Sequence, residues 1–142
     1  MVEKMANEAL TQAVKKIIGL ARAGTLDDAY VGYRDLFADP TFLTHSPQDQ
    51  RQALKLMIFA KGVPDKPTPK MVEAHRSALA PLTELVSSHG EPADHEMLGM
   101  CHVMLGHEEA ASVIYRAGLA IERQRNAQSD LCGQLMKRIS LL

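Results

Sequence analysis

Residues 98–115 read LGMCHVMLGHEEAASVIY, and residues 16–33 read KIIGLARAGTLDDAYVGY. In both, a glycine is followed five residues later by an alanine and four residues after that by a tyrosine. These are Gly24, Ala29 and Tyr33, and Gly106, Ala111 and Tyr115. Two acids follow each glycine, Asp27-Asp28 and Glu108-Glu109. A glycine lets the chain reverse between two helices, because it takes the left-handed conformation at a helix end without a Cβ penalty. A small alanine then lets the second helix approach the first. The tyrosine, about one turn later on the same face, fills the gap to the next pair. The two stretches therefore predict two copies of a tight helix hairpin.

Outward from these copies, the chain reads as helices throughout. Leu10, Val14, Ile17, Ile18 and Ala21 share one face of a 3.6-residue period, which predicts a first helix over about 3–23, ended by Gly24. Thr25 is placed to cap a second helix that buries Leu26, Ala29, Tyr30, Tyr33 and Phe37 and stops near Asp39-Pro40. Ser46-Pro47 and Thr68-Pro69 each pair a capping hydroxyl with a proline at the first helical position. They open a third helix, with Ala53, Leu54, Met57 and Ile58 inward, and a fourth, with Val72, His75, Leu79, Leu82 and Val86 inward. Pro81 inside the fourth predicts a kink or a break. Glu91-Pro92 opens a fifth helix with Leu98, Cys101, His102 and Leu105 inward. A sixth buries Ala111, Ile114, Tyr115, Gly118 and Leu119. A seventh, from about 127, carries Leu131, Leu135, Met136, Ile139 and Leu142. No window alternates like a strand.

The remaining composition narrows the function. The 142 residues suit one domain, and 46% hydrophobic with 23% charged residues suits a folded one. A formal net charge of −1 carries none of the basic excess of a nucleic-acid binder, so no nucleic acid is expected as partner. No apolar stretch reaches the roughly 18 residues of a membrane span, so no membrane is expected either. The start lacks the apolar core of a secretory signal. Two isolated cysteines, Cys101 and Cys132, indicate no disulfide framework. A cytoplasmic location is the expectation.

The hairpin pattern resembles the tetratricopeptide repeat, whose unit is about 34 residues. The stronger copy is 92–123, with Leu98-Gly99, Gly106, Ala111, Tyr115 and Gly118 in place. His95 and His102 stand where the family often has bulky rings, and Arg123 stands where a proline is usual. A copy over about 10–41 matches in its second half. Residues 47–89 form a degenerate unit lengthened by the loop around Pro64 and Pro67, and a C-terminal helix covers 127–142. The resemblance implies one all-α domain of about seven helices, stacked as a short right-handed solenoid. It also implies a concave groove lined by first helices, with Val14, Ile18 and Arg22 from the first unit and Glu96, Met100, Val103 and Met104 from the later one. Family members that hold acidic peptide C-termini use a lysine and asparagine clamp there. Val14, Ile18, Glu96 and Met100 occupy those places here, so the resemblance implies an apolar helix or extended segment as ligand.

Catalytic signals are sparse. There is no GxSxG elbow, phosphate loop or dinucleotide fingerprint, and no glutamate has a histidine three residues on, as a di-iron bundle needs. His95, Cys101, His102 and His107 are close in sequence and are metal-ligand types. His95 and His102 are two turns apart, about 10.5 Å by helix rise, too far for one ion without bending. They are expected to fill core positions, Cys101 to be a buried structural thiol, and no metal or cofactor is expected. Three functions stay open. An interaction module that binds another protein or peptide is the leading expectation. A metal or thiol enzyme around His95, Cys101 and His102 is the second. A structural homodimer joined through Ile139–Leu142 is the third.

Overall fold

A computed structural model describes residues 7–142 of the chain. The described residues form seven α-helices and one 3₁₀ turn, with no strand: α1 Glu8–Arg22, α2 Leu26–Ala38, the 3₁₀ turn Pro40–Thr44, α3 Pro47–Ile58, α4 Pro69–His89, α5 Pro92–Met104, α6 Glu108–Asn126 and α7 Asp130–Ser140. The protein is all-α. Residues 3–6 of the predicted first helix lie outside the described residues. The chain divides into two compact units, Met1–Pro81 and Leu82–Leu142. The division falls at the proline inside α4, which runs through Pro81 as one helix. Pro81 has no N–H to give the carbonyl one turn back.

In the first unit the helix starts are set by side chains that satisfy orphan N–H groups. Asn7 Oδ1 accepts from the Leu10 N–H at 2.9 Å, Ser46 Oγ from the Asp49 N–H at 3.2 Å, and Thr68 Oγ1 from the Met71 N–H at 3.3 Å. Thr25 departs from its expected role. It makes no side-chain cap, and its hydroxyl turns back to the Leu20 carbonyl at 2.8 Å. The core comprises Leu10, Val14 and Ile17 of α1, Ala29, Tyr30, Tyr33 and Phe37 of α2, and Ala53, Leu54, Met57 and Ile58 of α3. Phe42, on the 3₁₀ turn, is buried and meets the Phe37 ring edge-on at 5.1 Å. The α4 face is turned by one residue from the expected one. Met71, Ala74 and Ala78 are buried and Val72, Leu79 and Val86 only partly, while His75 and Leu82, both expected inward, belong to both stripes.

In the second unit α5 is buried on almost every side from Asp94 to Gly99. A helix enclosed in this way must carry small residues where its neighbours come close. Gly99 is that residue on α5, and Gly118 is its counterpart on the facing helix α6. A Cβ on Gly99 would fall 2.2 Å from the Tyr115 ring, and one on Gly118 would fall 2.7 Å from His95 Cβ. Helix α7 is capped by Ser129, whose Oγ accepts from the Cys132 N–H at 3.1 Å. It packs Cys132 and Leu135 onto Ala111, Tyr115 and Leu119 of α6.

Candidate functional site

The first hairpin builds an open apolar cavity inside the first unit. Gly24 takes φ +86°, α1 stops at Arg22, and α2 folds back along it. Ile18, Ala21 and Arg22 from α1, Leu26 and Tyr30 from α2, and Leu56 from α3 line a cavity of about 240 Å³. The walls are predominantly hydrocarbon. Burial raises the Tyr30 phenol above its usual range, and burial followed by the influence of Tyr30 pushes Tyr33 up to about 12. Both rings therefore stay uncharged at neutral pH. The Arg22 side chain is exposed and lies in the last turn of α1, so the cavity combines apolar walls with one cation.

Of the residues expected on a groove, Ile18 and Arg22 line this cavity. Val14, on the same helix, is wholly buried in the core. The other four belong to the second unit. Glu96 is buried and accepts a 2.7 Å ion-paired hydrogen bond from Arg138 Nε of α7. Met100 packs on the α6–α7 cluster. Val103 is exposed, and Met104 is half-buried. Sequence spacing gave no hint of Leu26, Tyr30 and Leu56 as cavity walls, because three helices must meet before the cavity exists. Ile18 and Ala21 on the apolar face of the first helix were the available signal.

His95, Cys101 and His102 do not converge. His95 Nδ1 donates to the Glu91 carbonyl at 2.8 Å, and the ring packs against Gly118. Cys101 is fully buried, and desolvation pushes its thiol up to about 12. A thiol so placed holds almost no thiolate, the form that attacks or ligates. His102 turns the other way and sets its Nδ1 3.2 Å from Nδ1 of His107. Among the described residues, no group of three or more His, Cys, Asp or Glu side chains could hold a metal ion. No described helix is long and apolar enough to cross a membrane.

No protein-family model matches this chain, and neither a curated protein nor a solved structure matches it.

Proposed function

We propose that this chain is a protein-interaction module. It takes an apolar side chain of a partner peptide or helix into the cavity between α1, α2 and α3. The observation that carries this reading is the cavity itself, an open apolar hollow with a single cation, Arg22, among its lining groups. Ligand sites are concave, mostly apolar and fitted with few polar groups. The ligand that matches has a Leu, Met or Phe anchor and an acidic residue near it to meet Arg22.

The tetratricopeptide-like arrangement belongs to the same proposal. It rests on the sequence pattern, and the structure adds only that two helix ends are alike. Gly24 and Gly106 take φ +86° and +79°, and the same pair of backbone bonds closes both turns. The Thr25 N–H reaches the Leu20 carbonyl and the Gly24 N–H the Ala21 carbonyl, both at 3.1 Å. The His107 N–H reaches the His102 carbonyl at 2.8 Å and the Gly106 N–H the Val103 carbonyl at 3.0 Å. This bond pair is the Schellman motif.

A displayed random-peptide library, selected on the full chain, tests the reading. Enriched sequences should share one large apolar anchor with an acid nearby. Failure to enrich any sequence, or enrichment of basic sequences without an anchor, counts against it. A second reading, a homodimer through α7, draws on the exposure of Met136, Leu141 and Leu142. Sedimentation of the wild type beside Leu141→Asp separates the two, since only a dimer would lose half its mass.

A further inference from the structure

The Schellman motif places the residue three positions before the cap and the residue just after the glycine side by side, and an apolar contact between them usually accompanies it. In the first hairpin those positions hold Leu20 and Thr25. In the second they hold His102 and His107, with ring centroids 5.4 Å apart. The same backbone turn thus forms without any imidazole, so the turn does not require the histidine pair. His107 is exposed and His102 half-buried, so both rings can be reached from solvent.

We propose that His102 and His107 form a two-imidazole chelate for a divalent transition-metal ion of the zinc, copper or nickel class, bound through both Nδ1 atoms. The two Nδ1 atoms are 3.2 Å apart. With metal–nitrogen bonds of about 2.0–2.1 Å, that separation sets an N–metal–N angle of about 100–106°, close to tetrahedral. The positive φ of Gly106 and the two turn bonds hold the backbone of both ligands before any ion arrives. Each ring binds as the tautomer that carries its proton on Nε2. Any proton lying between the two Nδ1 atoms moves to Nε2, and a neutral pair releases none. The other coordination positions are left to water or to an outside donor, so the site is open rather than structural. Imidazole suits zinc, copper and nickel, whereas magnesium and calcium prefer oxygen.

Zinc chloride titrated into the full chain, followed by calorimetry and by the histidine ring signals in NMR, tests the proposal. The expected result is one zinc per chain, with the His102 and His107 signals moving and those of His75 and His95 unchanged. His102→Asn and His107→Asn should each weaken binding at least tenfold, and His45→Asn should leave it within twofold. The double variant His102→Leu with His107→Thr reproduces the pair of the first hairpin. It should keep the helical circular dichroism of the wild type and lose the metal. Absence of saturable zinc binding overturns the site, as does one zinc per two chains. So does retention of affinity within twofold in the folded double variant.

Discussion

The Cβ that Gly99 lacks would sit 2.2 Å from Cε1 of Tyr115. Tyr115 is buried to 2% exposure and is held by Cys132 and Leu135 of α7, so its ring has nowhere to retreat. Gly99→Ala therefore sets a gain against a loss. Removing a mid-helix glycine favours the helix by roughly 0.5–1 kcal/mol, while overpacking a filled core typically costs about 1–3 kcal/mol. Net destabilisation of about 1–2 kcal/mol is expected in denaturant unfolding. In a Tyr115→Leu background the same glycine substitution should cost less, which a double-mutant cycle reads. A Gly99→Ala variant as stable as the wild type contradicts the packing.

Gly19 and Gly133 provide the opposite case. Both lie inside helices, and a Cβ at either meets nothing within 4 Å. Gly19→Ala and Gly133→Ala are each expected to raise stability by about 0.5–1 kcal/mol, the helix-propensity difference. The same substitution at Gly106, at φ +79°, should cost about 1–2 kcal/mol through the left-handed backbone. Thermal and denaturant melts of the three variants read the difference, and a common sign for all three would be incompatible with this description.

The turns and most helix faces of this fold can be read from the sequence, because Gly24, Gly106, Ser46 and Pro47 act on their immediate neighbours. Three features cannot be read in that way. The 3₁₀ turn that buries Phe42 follows a proline that reads as a stop. The α4 stripe could be drawn through Val72 and Leu79 or through Met71 and Ala78, since His75 fits both, and packing chose the smaller set. The His102–His107 contact spans five residues across a turn, outside the three- and four-residue spacings that mark a helix face. The glycine between them was the signal that could have found it.

Arg138 is the partner that compensates the buried carboxylate of Glu96 at 2.7 Å. Their side chains are 27% and 10% exposed, so solvent screens the pair only in part. Arg138→Met leaves the carboxylate uncompensated and is expected to cost about 2–3 kcal/mol, somewhat below the range for a fully buried pair. Glu96→Met together with Arg138→Met should cost less than Arg138→Met alone, because no charge is then stranded. A double-mutant cycle by urea unfolding checks this, and a coupling near zero rules out a structural role for the pair.

His75 makes stability depend on pH. Burial holds its pKa below the ordinary histidine value, and the bond from Nδ1 to the Met71 carbonyl opposes this less strongly. The folded state thus favours the neutral ring. Its contribution is complete above the unfolded value of about 6.5 and is lost as pH falls through the folded value. One proton limits the slope to about 1.4 kcal/mol per pH unit. Unfolding free energies at several pH values should show a shallower acid slope for His75→Phe than for the wild type. Equal slopes would assign the effect to other groups.

Cys101 is expected to resist alkylation in the folded protein at pH 8, because burial pushes its thiol up to about 12. Iodoacetamide labelling followed by peptide mass spectrometry should show modification of Cys101 only after denaturant is added. Native labelling at the rate of a free thiol would revive a thiol chemistry for this helix.

In the proposed function, the cavity between α1, α2 and α3 receives a partner's apolar side chain. Ala21 is exposed on the wall of that cavity, so a charge there should spoil the site and spare the core. Val103 is exposed in the second unit and provides the matched control. The decisive measurement is the affinity of a library-selected peptide for the wild type, Ala21→Glu and Val103→Glu, each checked for folding by circular dichroism. A loss of at least tenfold is expected for Ala21→Glu and a change within twofold for Val103→Glu. Binding by folded Ala21→Glu within twofold of the wild type would contradict it.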